Sequence, residues 1–312
     1  MDRKVRIIGP GSSNCDLTGF APHLPVAGET VMGSALHVGP GGKGANQMTA
    51  AARAGGEAVF ITRIGRDVFG ETLDRHFDAE GFNKTYITSP EGEVTGTALI
   101  EIDESDAQNR IIVIPGANQH ITPADVDAAD ADFAASDAVM AQLEITLSAV
   151  VRAKELAQKY RKPFILNPAP YRPLDSDFLD GIDWFTPNET EAGYFTGMVV
   201  CDVDSAREAA KRLLAAGVKN VVITLGVNGA YWTNGVSEVH VPGIRVKAVE
   251  TTGAGDTFNG ALAVAIAEGR DPVQALRFAN AAAAISVTRL GAAASTPYRA
   301  EILALVREQY GE

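Results

Sequence analysis

Short apolar runs alternate with longer amphipathic segments along most of the chain. A short apolar run is typical of a buried strand, and a longer segment with helical spacing that stops at glycine is typical of a helix. The apolar runs predict strands at residues 5–8, 57–64, 138–143, 163–166, 184–186 and 221–225. The longer segments predict helices at residues 43–53, 70–80, 147–160, 205–216, 257–268 and 272–288. This alternation predicts an α/β protein with a mostly parallel sheet that helices cover on both faces.

Two stretches depart from the alternation. Residues 16–38 have no helical period and contain turn formers, whereas residues 94–114 contain two apolar strands, 97–102 and 110–114, joined by a polar turn. The second stretch is a hairpin candidate. Together they predict a small β layer outside the main sheet, which either closes over a ligand or pairs with another copy. The alternative is that they are ordinary connecting strands.

No internal repeat and no linker rich in Pro, Gly or Ser divides the sequence, so residues 1–312 are expected to form one domain with a discontinuous lid from about 16–38 and 94–114.

The formal net charge of −12 argues against a nucleic-acid partner, which usually requires clustered Lys and Arg. Cys15 and Cys201 lie far apart and predict neither a disulfide nor a zinc site. With no signal-peptide or membrane-span pattern, the expected location is cytoplasmic.

The glycine-rich string TTGAGDTFNG at residues 251–260 carries the clearest chemistry. Gly253 and Gly255 allow backbone conformations that aim consecutive N–H groups at one point, where a predicted helix begins. Such a helix start binds anions. Asp256 places a carboxylate beside this anion site, which indicates a base next to a phosphate and therefore phosphoryl transfer. The alternative for Asp256 is a helix N-cap.

A second string, GGKGANQ at residues 41–47, also precedes a predicted helix. Residues 39–44 satisfy the bare G-x-G-x-x-G pattern, but the first strand ends about thirty residues earlier, so a dinucleotide site is disfavoured. We interpret the string as a helix start where a small polar ligand reaches the backbone and where Lys43 and Asn46 donate to hydroxyl groups. The alternative is a tight turn before a helix.

Polar residues follow several of the other predicted strands. Asn188 and Glu191 form a capping-box pattern, or else organise water-bound magnesium and phosphate oxygens. The glycines of residues 224–229 admit a flat nucleotide base or form a plain turn. Asn14, Asp16 and Glu144 suit a polyhydroxyl ligand, because amides and carboxylates pair with hydroxyls that both donate and accept.

Over essentially its whole length the chain resembles the ribokinase-like (phosphofructokinase B type) carbohydrate kinases. The resemblance rests on residues 9–16, 41–47, 140–144, 167–170, 187–191, 224–226, 251–262 and 278–291, among which the run 256–262 is especially specific. It implies a three-layer α/β/α fold with a small β-sheet lid. It further implies ATP-dependent transfer of the γ-phosphoryl group to the 5-hydroxyl of D-ribose, and a homodimer formed through the lid.

The resemblance also implies roles for individual residues. Asp256 would be the general base beside an anion hole formed by Gly253, Ala254 and Gly255. The sugar would be held by Asn14, Asp16, Gly42, Lys43, Asn46, Glu144 and Asp256. The nucleotide would be bordered by Asn188, Thr224, Gly226, Gly229, Gly255 and Asn280. Glu191 would hold magnesium through water. A potassium ion would be held by Glu250, Thr252, Ser286, Arg289, Gly291 and Ser295.

Two residues depart from the family pattern: Glu250 replaces the usual Asp and Asn280 replaces a common His. The longer carboxylate of Glu250 places the potassium site in question. Three other functions remain open: a kinase of the same fold for fructose, deoxyribose or an acidic sugar, a non-catalytic sugar or nucleotide sensor, and a nicotinamide-dependent oxidoreductase. The presence of Asp256 and of the glycines at 253 and 255 argues against the sensor, and the placement of the glycines argues against the oxidoreductase.

Overall fold

The computed structural model describes residues 3–105 and 108–311. In these ranges the strands are β1 (Arg6–Pro10), β2 (Asn14–Ala21), β3 (Ala35–Gly41), β4 (Glu57–Arg63), β5 (Ile87–Thr88), β6 (Gly96–Asp103), β7 (Asn109–Ile114), β8 (Ala138–Ala141), β9 (Phe164–Leu166), β10 (Trp184–Phe185), β11 (Asn220–Thr224), β12 (Ala230–Thr233) and β13 (Glu238–Val241). The α-helices are α1 (Lys43–Arg53), α2 (Val68–Ala79), α3 (Pro123–Asp127), α4 (Asp130–Ala135), α5 (Leu147–Lys159), α6 (Ser176–Leu179), α7 (Glu189–Thr196), α8 (Val203–Ala215), α9 (Ala254–Ala267), α10 (Pro272–Ser286), α11 (Ala292–Ser295) and α12 (Arg299–Tyr310).

Nine strands form the main sheet in the order β13-β12-β11-β10-β9-β8-β1-β4-β5. Neighbouring strands from β11 to β5 are parallel, as predicted, whereas β12 and β13 add an antiparallel edge that the sequence patterns did not indicate. Because these strands are parallel and are joined by helices on the two faces, their carboxyl ends lie at one edge of the sheet.

Two hydrophobic cores lie on opposite faces of the main sheet. Successive side chains of a strand point to opposite faces, so Ile7 of β1 enters one core and Ile8 enters the other. The first core is closed mainly by α1, α2, α9, α10 and α12, and the second by α3, α4, α5, α7 and α8. This confirms the predicted coverage of both faces.

A separate four-stranded sheet has the order β3-β2-β6-β7. It confirms the predicted small β layer, and β6 and β7 form the predicted antiparallel hairpin. The strands reach further than the predicted ranges, because β2 begins at Asn14 and β3 ends at Gly41. β2 runs parallel to β6, with Asn14 opposite Gly96 at the base of the small sheet.

The predicted helices and strands are present, with ends that differ by a few residues. The largest such difference at the site is the start of α9, which begins at Ala254, three residues earlier than predicted, because Gly253 serves as its N-cap. α12 was not predicted. No helix in the described ranges is long and apolar enough to cross a membrane.

Candidate active site

The candidate site lies at the carboxyl edge of the main sheet, where the N-termini of α1 and α9 meet. These two helices pack against each other, and Gly260 of α9 permits the approach because a Cβ there would lie 2.3 Å from the Gln47 backbone oxygen. The segments that follow β8, β9 and β10 supply Gln142, Asn167 and Asn188 to the same edge. Residues from distant parts of the chain are thereby brought together.

The start of α9 has the geometry expected of an anion site. Gly253 is the N-cap in the left-handed region, with φ +76°, so a non-glycine residue would be strained there. The N–H of Ala254 donates to the Thr251 carbonyl oxygen. Among the described residues, the N–H groups of Gly253 and Gly255 have no hydrogen-bond acceptor, which leaves them available to an anion.

Asp256 lies in the first turn of α9 and is not its N-cap, so the capping alternative is wrong. Its side chain is 7% exposed. Oδ2 accepts a hydrogen bond from Asn46 Nδ2 at 3.0 Å, and Oδ1 accepts one from Gln47 Nε2 at 2.9 Å. The two amides hold the carboxylate in one orientation at the edge of a small cavity.

That cavity has a volume of about 190 Å³ and contains Lys43, Asp256 and Glu191 on its walls. Burial alone would lower the pKa of the Lys43 ammonium, but the carboxylates of Asp256, Glu144, Glu191 and Asp16 outweigh burial and raise it. Lys43 therefore stays charged beside Asp256. A half-buried cation next to free helix N–H groups suits phosphate oxygens.

Glu144 fastens the start of α1. Its Oε2 accepts hydrogen bonds from Ser12 Oγ at 2.5 Å and from the Lys43 backbone N–H at 3.0 Å. Gly42, the N-cap of α1, has φ +88°, and a Cβ there would lie 2.7 Å from the Asn14 backbone nitrogen. Oε2 of Glu144, a residue predicted to bind the sugar, is therefore already occupied by hydrogen bonds within the protein.

Asn14 is oriented by a buried amide that the sequence did not single out. Asn118 accepts from the Ser13 N–H at 2.8 Å and donates through Nδ2 to Asn14 Oδ1 at 2.8 Å. Because Asn118 donates a hydrogen bond to the side-chain oxygen of Asn14, the N–H₂ group of Asn14 points away from Asn118. Gly96 leaves room for the pair, since a Cβ there would lie 2.3 Å from Asn14 Oδ1.

A larger cavity, of about 490 Å³, lies between the small sheet and residues 250–252 and 290–294. Asp16 lies on its wall, with its carboxylate against Gly41, where a Cβ would come within 2.1 Å of Oδ2. Burial raises the pKa of Asp16 to about 7, and the carboxylates of Glu144, Asp256 and Glu250 add to the rise. Asp16 therefore titrates near neutral pH.

We expect sugar binding to strengthen as the pH rises from 6 to 8, because the carboxylate form of Asp16 accepts hydrogen bonds from hydroxyls. With a pKa of about 7, the ionised fraction grows about tenfold over this range, and the sugar dissociation constant should fall by the same factor. Calorimetric titration without nucleotide measures it. Asp16→Asn should bind sugar with little pH dependence, and a flat profile for the unmodified protein would contradict the assignment.

Asn188 and Glu191 form the capping box at the start of α7, so that structural alternative is confirmed. Asn188 Oδ1 accepts from the Glu191 N–H, and Glu191 Oε2 accepts from the Asn188 N–H. Burial raises the pKa of Glu191, although the Asn188 N–H and Lys43 act in the opposite direction. No cluster of three or more His, Cys, Asp or Glu within residues 3–105 and 108–311 is arranged as a metal site.

Of the six residues predicted to hold potassium, Glu250, Thr252 and Gly291 line the larger cavity. Glu250 Oε2 accepts a hydrogen bond from the Gly291 N–H at 2.8 Å. Ser286 and Ser295 use their hydroxyls to bind the carbonyls of Ala283 and Ala292. The guanidinium of Arg289 pairs with Glu301, which leaves its backbone carbonyl as the group that can face an ion.

Of the six residues predicted to border the nucleotide, Asn188 and Gly255 lie at the starts of α7 and α9. The other four, Thr224, Gly226, Gly229 and Asn280, lie at or just after the end of β11 and on α10. Gly226 has open space at its Cβ position, whereas a Cβ at Gly229 would lie 2.1 Å from the Val241 carbonyl oxygen. Gly229 is thus required by the turn itself. Thr224 lines the cavity that contains Asp256, and Asn280 donates to the Val241 carbonyl at 3.1 Å. Asn280 ties α10 to the end of β13.

Several buried polar residues of the site were not predicted: Ser12, Gln47, Asn118, Gln142, Asn167, Thr186 and Asn259. Gln47 and Asn259 lie within the two glycine-rich strings, and Gln142 lies beside Glu144, so their positions in those motifs were a usable signal. Asn118 has no such signal, because its role depends on where a connection after β7 lies in the fold.

Comparisons with known proteins identify the family. A model for pfkB family carbohydrate kinases matches residues 6–299. A ribokinase from Haemophilus influenzae is 42% identical over 293 residues, 94% of this chain and 95% of that protein. A deoxyribokinase from Salmonella typhi is 38% identical over 288 residues, 92% and 94% of the two chains.

The structure of Arabidopsis thaliana ribokinase complexed with ribose and ATP superimposes with a TM-score of 0.90 at 33% identity, covering 98% of this chain and 99% of that one. This likeness confirms the predicted three-layer fold, and the chain belongs to the pfkB family of carbohydrate kinases.

Proposed function

We propose that this protein transfers the γ-phosphoryl group of ATP to the 5-hydroxyl of D-ribose. The observation that carries the proposal is the pairing of an oriented carboxylate, Asp256, with unpaired N–H groups of Gly253 and Gly255 at one helix start. The similarity to the Haemophilus and Arabidopsis ribokinases supports ribose as the acceptor.

In this mechanism Asp256 accepts the hydroxyl proton as the sugar oxygen bonds to the γ-phosphorus, because a sugar hydroxyl is too weak an acid to ionise beforehand. The bond between the γ-phosphorus and the bridging oxygen breaks in the same step, and ADP leaves with that oxygen. The larger part of the rate enhancement comes from alignment of the hydroxyl and from stabilisation of charge on the transferring oxygens. Lys43 and the N–H groups of residues 253 and 255 supply that stabilisation. Ala254 takes part in the loop through its bond to Thr251.

Asn46 supports a hydroxyl-bearing ligand at the same place. Its Nδ2 binds Asp256, but its Oδ1 is buried without a hydrogen-bond partner among the described residues. An unsatisfied buried acceptor is costly, and a sugar hydroxyl would satisfy it. Asn14, Asp16, Gly42, Lys43 and Glu144 would complete the sugar site.

Two metal ions belong to the proposal. Asn188 and Glu191 offer oxygen ligands beside the smaller cavity and would hold magnesium through water, and bound Mg²⁺ neutralises charge on the phosphate oxygens. Glu250, with the backbone carbonyls of the 286–291 segment, offers an all-oxygen set suited to K⁺. Glu250 has one methylene more than the usual Asp, but its carboxylate still accepts a hydrogen bond from the Gly291 N–H and so remains bound to this segment.

The small sheet would act as a lid over the sugar, with the ranges 16–38 and 94–114 belonging to the same catalytic domain as the main sheet. The face of the small sheet opposite Asp16 exposes apolar side chains that favour a homodimer through the lid. These side chains are Leu36, Val38, Leu99 and Ile112. Lid closure would exclude water, which competes with the sugar as acceptor.

A second candidate acceptor is 2-deoxyribose, which the similarity to the Salmonella deoxyribokinase favours. Ribose is preferred here because the orientation imposed by Asn118 leaves the Asn14 N–H₂ group as a donor and Asp16 as an acceptor, a pair suited to an additional hydroxyl. Loss of one hydroxyl would leave one of these groups unpaired.

The test is a panel of ribose, 2-deoxyribose, fructose and an acidic sugar, with ATP consumption measured in K⁺ and in a bulky organic cation. We expect ribose to give the highest kcat/KM, by roughly tenfold or more over 2-deoxyribose, and K⁺ to raise the rate. Higher kcat/KM for 2-deoxyribose would overturn the choice of sugar, equal rates in the two cations would refute the K⁺ site, and no phosphorylation of any sugar would refute the kinase.

A further inference from the structure

A line of buried side-chain amides runs from the end of β8 to Asp256. Gln142 Nε2 donates to Gln47 Oε1 at 2.7 Å, and Gln47 Nε2 donates to Asp256 Oδ1 at 2.9 Å and to Asn167 Oδ1 at 3.0 Å. Gln47 is 0% exposed and Gln142 is 1% exposed. The oxygen and the N–H₂ group of the Gln47 amide are therefore both hydrogen-bonded to other residues of the protein.

The direction of these hydrogen bonds follows from Asp256. An ionised carboxylate only accepts, so Gln47 must turn its N–H₂ group towards it and its oxygen towards Gln142. Gln142 must then present its own N–H₂ group. Gln142 Oε1 consequently lies buried without a partner in the part of the chain that the structure describes. Leaving that acceptor unpaired costs free energy, which indicates that the Gln142 donor has a function.

We infer that Gln142 and Gln47 are positioning residues that set the orientation of the Asp256 carboxylate for proton transfer. Gln142 fixes the orientation of the Gln47 amide, and Gln47 fixes Oδ1 of Asp256. Neither residue needs to touch the sugar or the nucleotide. This inference rests on the proposed kinase activity, in which Asp256 receives the hydroxyl proton.

Two substitutions of Gln142 distinguish its effect on the orientation of the Asp256 carboxylate from the effect of its packing. Gln142→Met keeps the length of the side chain but removes its donor. Gln142→Glu replaces the donor with a second acceptor, so Gln47 is drawn to turn its N–H₂ group towards position 142 and its oxygen towards Asp256. The amide would then repel the base that it normally orients.

The experiment measures kcat and sugar KM of the unmodified protein and both variants, with melting temperature and sugar affinity as controls for folding. We expect Gln142→Met to lower kcat by about 3–10-fold and Gln142→Glu by about 30–300-fold, with KM changed less than about threefold in both. Equal kcat values for the two variants, or effects confined to KM, would overturn the inference.

If Gln142→Glu does not fold, Gln47→Met replaces it in the test. This variant removes the donor to Asp256 without adding a charge, and we expect a fall in kcat of about 10–100-fold with little change in sugar KM. A kcat within about threefold of the unmodified protein would overturn the inference. An unmodified protein that phosphorylates no sugar would instead refute the proposed function, so the two failures are distinguishable.

Discussion

Asp256→Asn is expected to lower kcat by roughly 10²–10⁴-fold while leaving the fold intact. The amide has nearly the same shape as the carboxylate, so the packing of the first turn of α9 is kept. It cannot accept the hydroxyl proton, and its N–H₂ group conflicts with the donors of Asn46 and Gln47. Steady-state assays with saturating sugar and ATP measure the effect.

Asp271→Asn is the matched control for this substitution. Asp271 caps α10, accepting from the Val273 and Gln274 N–H groups, and Asn caps a helix about as well as Asp. The control should retain normal kcat and melting temperature. Near-normal turnover of Asp256→Asn would show that Asp256 is not the base.

Gly253→Ala is expected to reduce kcat by about 10²–10³-fold, because the substitution disturbs the N–H groups that are proposed to hold the transferring phosphate. The residue has φ +76°, and an added Cβ would lie 2.9 Å from the Ala292 Cβ. The loop must therefore shift. Strain in this backbone region also costs about 1–3 kcal/mol of stability.

Gly269→Ala separates the two effects. Gly269 follows the other end of α9 and has φ +73°, with open space at its Cβ position. It should lose a comparable amount of stability in thermal unfolding but keep its kcat. If both variants kept normal kcat, the N–H groups at residue 253 would have no part in catalysis.

The parts of the site that follow local sequence rules were predictable. The strings at 41–47 and 251–260 place glycine before a helix, and the structure has a positive φ at Gly42 and at Gly253. The alternating apolar runs likewise predicted the parallel sheet, because the period of a strand and of a helix is visible in the sequence itself.

The rest depends on contacts between distant residues. Gln47 and Asp256 are 209 positions apart, and Asn14 and Asn118 are 104 apart, so no local pattern pairs them. The hairpin of β12 and β13 was missed because β13 alternates polar and apolar residues, whereas the other strands of the main sheet were predicted from uninterrupted apolar runs. The orientation of each amide is decided by its partners, which become known only when the chain is folded.

The most direct test of the account is a crystal structure with ribose and a non-hydrolysable ATP analogue. We expect the ribose 5-hydroxyl oxygen to lie within about 3 Å of an Asp256 carboxylate oxygen. We also expect γ-phosphate oxygens to lie within about 3 Å of the N–H groups of Gly253 and Gly255. A structure with both compounds bound and residues 253–256 turned away from them would contradict the account.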